Sequence, residues 1–63
     1  MEKEYIIYTN ELDIVGWIVS ATPMNYKTSL DFSKAQRFSK SEAEMIVRGF
    51  DRNGYRAYMF KLG

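Results

Sequence analysis

The sequence predicts a small α+β domain: a three-stranded antiparallel sheet in the order 2-1-3 with one helix packed on one face, topology β-β-α-β. Three observations carry this expectation. Two β-branched and aromatic runs are separated by a short polar break, a helical pattern with both ends marked follows later, and a further aromatic run comes after it.

The first strand is expected over residues 4–9, EYIIYT, where β-branched and aromatic side chains favour a pleated surface. Asn10-Glu11-Leu12-Asp13 is the polar break, and residues 14–22, IVGWIVSAT, make a second β-rich run, so a hairpin is the simplest connection. Pro23 lacks an N–H and is expected to end that strand. Residues 24–38 read as an irregular connection with one helical turn at 31–36, pinned to the domain by Leu30, Phe32, Ala35 and Phe38.

The helix is marked most clearly. Ser39-Lys40-Ser41-Glu42 fits a capping box, and Ala43, Ile46, Val47 and Phe50 follow at i, i+3, i+4 and i+7 as one apolar stripe. Glu42 and Glu44 near its start and Arg48 and Arg52 near its end complement the helix dipole, and Asn53-Gly54 supplies a left-handed stop. Gly49 weakens the helix slightly and suggests close packing there. Residues 55–62, YRAYMFKL, form the last strand, which a right-handed crossover lays beside the first.

With 63 residues the chain makes one domain, 1–63. A domain of that size buries only about 60% of the surface its unfolded chain exposes. Cysteine and histidine are both absent, which excludes disulfides and thiolate or imidazole metal sites. The acidic residues show no calcium-loop spacing, so no metal or cofactor is expected. Catalysis is not expected either: the commonest general base and the most reactive nucleophile are missing, Ser39 and Ser41 serve the helix cap, and the glycines form no phosphate loop. No apolar run approaches the ~20 residues of a membrane span, and no signal-peptide pattern is visible, so a cytoplasmic protein without a membrane partner is expected.

The strands lack the alternation of a sheet with one wet face. Ala57 and Met59 suit the helix side, which turns Tyr58 and Phe60 to the other face together with Trp17 and Tyr8. Two readings stand open. Either the 24–38 connection folds over this second face, or the face is an exposed aromatic patch of the kind that marks an interface, for a target protein or a homodimer. Charge is uneven as well. Residues 1–13 carry four acids against one base, net −3, whereas residues 27–40 carry four bases against one acid, net +3. Lys34, Arg37 and Lys40 are therefore candidates for steering a partner. Tyr55-Arg56-Ala57-Tyr58-Met59-Phe60-Lys61 interleaves aromatic and basic residues, which also allows a small nucleic-acid-binding regulator, although the net charge of only +1 disfavours it.

The spacing Ala35…Phe38-Ser39…Glu42-Ala43-Glu44…Ile46…Phe50…Gly54-Tyr55, after an opening strand such as Tyr5-Ile6-Ile7-Tyr8, resembles short accessory proteins encoded by bacteriophages and prophages. The resemblance implies a protein-binding inhibitor in phage–host conflict, acting on a host enzyme, a regulator or a defence nuclease, as anti-CRISPR proteins do. It transfers no binding-site residue.

Overall fold

The computed structural model describes residues 3–11, 13–21 and 26–62. Its elements are β1 (Tyr5–Asn10), β2 (Val15–Ala21), β3 (Tyr26–Ser29), a 3-10 turn (Phe32–Lys34), α1 (Lys40–Arg52) and β4 (Ala57–Lys61). The α+β class, the antiparallel pairing and the single helix on one face agree with expectation. The strand count does not: among the described residues the sheet has four strands in the order β3-β2-β1-β4, not three in the order 2-1-3. The expected neighbours survive inside it as β2-β1-β4. The addition is β3, drawn from the segment expected to be irregular. Its sequence, Tyr-Lys-Thr-Ser, shows little apolar patterning, yet pairing with β2 gives the outer main-chain groups of that strand their partners. The expected positions of Leu12, Thr22, Pro23 and Met24 lie outside the described residues.

The β1–β2 hairpin is closed by paired main-chain bonds between Glu11 and Ile14, at 2.9 and 3.3 Å. Gly16 sits at φ +126°, and a Cβ there would lie 2.6 Å from the Ser29 carbonyl oxygen of β3. Only a residue without a side chain lets β2 and β3 approach so closely.

The core lies between the sheet and α1. Ile7 and Ile18 from the sheet, Phe38 from the connection and Ala43 and Phe50 from α1 are buried together, and Ile46, Val47, Ala57 and Met59 pack against them. The apolar stripe read from the sequence is thus the face the helix buries. Thr9, fully buried in β1, donates its hydroxyl to the Arg56 carbonyl at 2.7 Å, so the chain entering β4 is tied to the sheet by a satisfied polar contact.

Both helix ends are closed as the sequence proposes. Ser39 Oγ accepts from the Glu42 amide at 3.2 Å, and the Ser39 amide donates to Glu42 Oε1 at 3.0 Å. At the other end Gly54, at φ +80°, donates to the Asp51 carbonyl while Tyr55 donates to the Phe50 carbonyl, the paired closure of a Schellman motif.

The connection between β3 and α1 takes an unusual path. The Phe32 ring lies on Trp17, on the face away from the helix, whereas Phe38 is buried in the helix-side core. Between them the Gln36 amide donates to the Ile18 carbonyl of β2, and Phe38 exchanges two main-chain bonds with Tyr5 of β1. Direct β1–β2 pairing is limited to the stretch from Tyr8↔Trp17 to Asn10↔Val15. Below it the strands separate, and residues 36–38 fill the gap as the chain crosses from one face to the other.

Two tests follow from this packing. At Gly49 an added Cβ would meet only the Tyr26 hydroxyl, at an ordinary 3.7 Å. Gly49→Ala should therefore stabilise the domain by up to about 1 kcal/mol through helix propensity, raising the melting temperature by about 4–8 °C. Gly16→Ala should cost more than about 2 kcal/mol; equal melting temperatures for the two variants would contradict this packing. The second test concerns pH. Hydrogen bonds from the Ser39 amide and hydroxyl hold the Glu42 carboxyl below the ordinary glutamate range. Such a depressed value contributes stability above the unfolded pKa of about 4.3, and the contribution is lost as pH falls through the folded value. Melting curves from pH 6 down to 3 should fall less steeply for Glu42→Gln than for the parent chain.

Candidate protein-binding surface

Strand alternation and register together define the sheet face opposite the helix. Tyr8 stands across from Trp17 on one side and Tyr58 on the other, and Ile6 stands across from Phe60. This row therefore holds Tyr8, Trp17, Tyr58 and Phe60, the four aromatic residues assigned to this face from the sequence. Trp17 is the hub. Its ring lies 5.0 Å from Tyr8, 4.9 Å from Phe32 and 6.0 Å from Phe60 between centroids, each pair meeting edge to face. That geometry suits the ring quadrupoles.

Each of the two readings of this face describes part of it. The 3-10 turn covers one side: Ile6 is 3% exposed although it points away from the helix, and Phe32 and Leu62 line the small recess of about 110 Å³ beside it. The rest is open, with Phe32 54%, Tyr58 49% and Phe60 47% exposed. Val15, on the same face, is also exposed. Leu30, expected to pin the connection, is 77% exposed and pins nothing. Phe32 and Phe38 do pin it, but from opposite faces of the sheet.

The basic candidates separate. Lys34 closes the 3-10 turn that carries Phe32, and Arg37 lines the recess with Ile6 and Leu62, so both border the aromatic cluster. Lys40 is the first residue of α1 and belongs to the helix layer. Neither Lys34 nor Arg37 has an acidic partner within salt-bridge distance among the described residues; the one ion pair found there joins Lys61 and Glu4 at 3.7 Å. Asp31, close to Lys34 in sequence, is occupied locally, its carboxylate accepting from the Ser33 amide and hydroxyl at 3.0 and 2.7 Å.

A larger groove lies on the helix side, about 580 Å³, lined by residues including Ile14, Tyr26, Phe50 and Asn53. Two of its titratable groups, Asp13 and Tyr55, are bonded to each other: the Tyr55 hydroxyl donates to Asp13 Oδ2 at 3.1 Å, which raises the Tyr55 phenol. Sequence reading missed this pair, because residues 42 positions apart carry no spacing that links them. Among the described residues no group of three or more acidic side chains could hold a metal ion, and no helix is long and apolar enough to cross a membrane. No protein-family model matches the chain, no curated protein matches its sequence, and no solved structure matches its fold.

Trp17 is the sole tryptophan, so its emission reports on this cluster alone. Phe32→Ala removes the ring at 4.9 Å and opens Trp17 to water. Its fluorescence maximum should shift to longer wavelength while helical circular dichroism is retained; an unshifted maximum would mean that Phe32 does not cover the indole.

Proposed function

We propose that this chain is a non-catalytic binding protein and that the aromatic face around Trp17 is its working surface. The observation that carries the reading is the cluster of Tyr8, Phe32 and Phe60 around Trp17, in which Phe32, Phe60 and the neighbouring Tyr58 are each about half exposed. Contiguous apolar surface of this kind is costly in water and tends to mark an interaction site. Aromatic anchors with few rotatable bonds supply much of the binding energy in protein interfaces. Lys34 and Arg37 at the border add electrostatic steering toward an acidic surface.

The target is a protein, and the likeness to phage-encoded accessory proteins supplies its class: a host enzyme, regulator or defence nuclease that the chain inhibits by occupying its surface. A nucleic-acid target is the weaker reading. Single strands stack on open, sequence-tolerant ring faces set in a strongly basic groove. Here the rings meet edge to face and the chain carries a net charge of only +1, which favours a protein surface.

Affinity capture from a bacterial lysate, with and without nuclease treatment, identifies the target, and purified components then test the surface. Tyr58→Lys and Phe60→Lys should each weaken binding by at least about tenfold, the scale of an interface hot spot, without lowering helix content. Reversing Lys34 and Arg37 together should slow association at low salt and leave dissociation nearly unchanged. Binding that survives both aromatic substitutions at full strength would remove this face from the function.

A further inference from the structure

The two outer edges of the sheet differ. β3 is four residues long, mostly polar, and its pairing with β2 is interrupted by a register shift between Ile18 and Ser20. Shortness and irregularity of this kind discourage a further strand from adding. β4 has none of these protections: five residues pair regularly with β1, with no proline and no bulge, and only its last residue is charged.

The direction of its main-chain groups can be worked out. The Leu62 amide donates inward to the Glu4 carbonyl at 2.6 Å. Alternation in an antiparallel ladder then points the N–H and C=O groups of Tyr58 and Phe60 toward β1 and those of Ala57, Met59 and Lys61 outward. Among the described residues nothing pairs with these outward groups.

We propose that β4 pairs with β4 of a second copy, antiparallel about a two-fold axis at Met59, joining two four-stranded sheets into one. Only a register that sets outward residues against outward residues can form bonds. The one centred on Met59 uses all three, placing Met59 against Met59 of the second copy and Ala57 against its Lys61, for about six new N–H···O bonds. It also sets Tyr58 directly against Phe60 of the second copy, twice, covering the two exposed rings of β4 with each other. On the helix side Lys61 of the second copy arrives beside Ala57, at a groove of about 300 Å³ lined by Val47, Asp51, Arg48 and Arg56 among others, where its stem can lie on Val47 and its charge face solvent. A two-fold pairing of one edge with itself closes at the dimer, because β3 is unsuited to continue the chain of contacts.

Specific interfaces bury about 800 Å² per partner, about a sixth of the 4733 Å² surface of this chain. An edge of five residues covers less than that, so the dimer forms in the micromolar range or more weakly. The pairing is carried by the open main-chain edge and does not rest on target binding by the aromatic face; because it covers Tyr58 and Phe60, the second copy and the target compete for them.

Sedimentation from micromolar to near-millimolar concentration should show the mass rising from 7.4 kDa toward twice that value. Lys61→Pro deletes an outward N–H and leaves the inward ladder to β1, so association should weaken at least tenfold while the melting temperature of dilute protein is kept. Phe32→Lys, on the face but away from the edge, should leave association unchanged. Residue-resolved amide exchange needs no substitution: the Ala57, Met59 and Lys61 amides should become protected only at concentrations where the dimer forms. A monomer throughout, free exchange of those three amides within a dimer, or a dimer dispersed by Phe32→Lys and indifferent to Lys61→Pro would each overturn the proposal.

Discussion

The fold depends on how β1 and β2 come apart. They pair only near their hairpin end, and residues 36–38 take up the vacant bonding positions where they separate. Had β1 and β2 stayed paired to their other ends, the connection leaving β3 could reach the helix layer only by travelling around the sheet. Crossing through it instead places Phe32 on one face and Phe38 on the other within a few residues. One short passage thus contributes a ring to the aromatic cluster, fills the core with Phe38 and delivers Ser39 where the helix must begin. The main chain at the crossing keeps its hydrogen bonds, which is what makes a passage through the sheet tolerable.

The same passage explains what sequence could and could not reveal. The helix was legible because its information is local: Ser39 with Glu42 and Asn53 with Gly54 mark its ends, and Ala43, Ile46, Val47 and Phe50 share one side by period alone. β1, β2 and β4 were legible from residue type, and the aromatic row from strict alternation along them. β3 was not. Tyr26, Lys27, Thr28 and Ser29 carry neither a run of β-branched residues nor an apolar alternation, and their strand state comes from β2 needing a neighbour. Leu30 and Phe32 looked alike as apolar anchors, yet only Phe32 has a ring waiting beneath it. Lys40 looked like part of one basic cluster with Lys34 and Arg37, until the crossing sent it to the opposite layer.

A sheet with one helix has more apolar surface than that helix can cover, and this chain resolves the excess only in part. Ile6 is sheltered by the turn, whereas Tyr58 and Phe60 stay half open at the outermost strand. The exposed remainder is organised: rings are fixed edge to face around Trp17, which limits the side-chain entropy that a partner must remove on binding. Pre-arrangement of this sort suits a protein that acts by occupying another surface.

The central strand has a consequence for how the chain is made. β1 precedes the other described elements and pairs with β2 at their hairpin end, yet Tyr5 must wait for Phe38, and the whole other side of the strand for β4. Until β4 has emerged from the ribosome, Ile6 and Ile7 lack the strand that completes their surroundings. The sheet therefore reaches its native topology only after β4 has been translated, through contacts of long sequence separation that form slowly. During that interval one side of β1 lacks its strand, and the crowding and chaperone supply of the cell bear directly on the yield of folded protein.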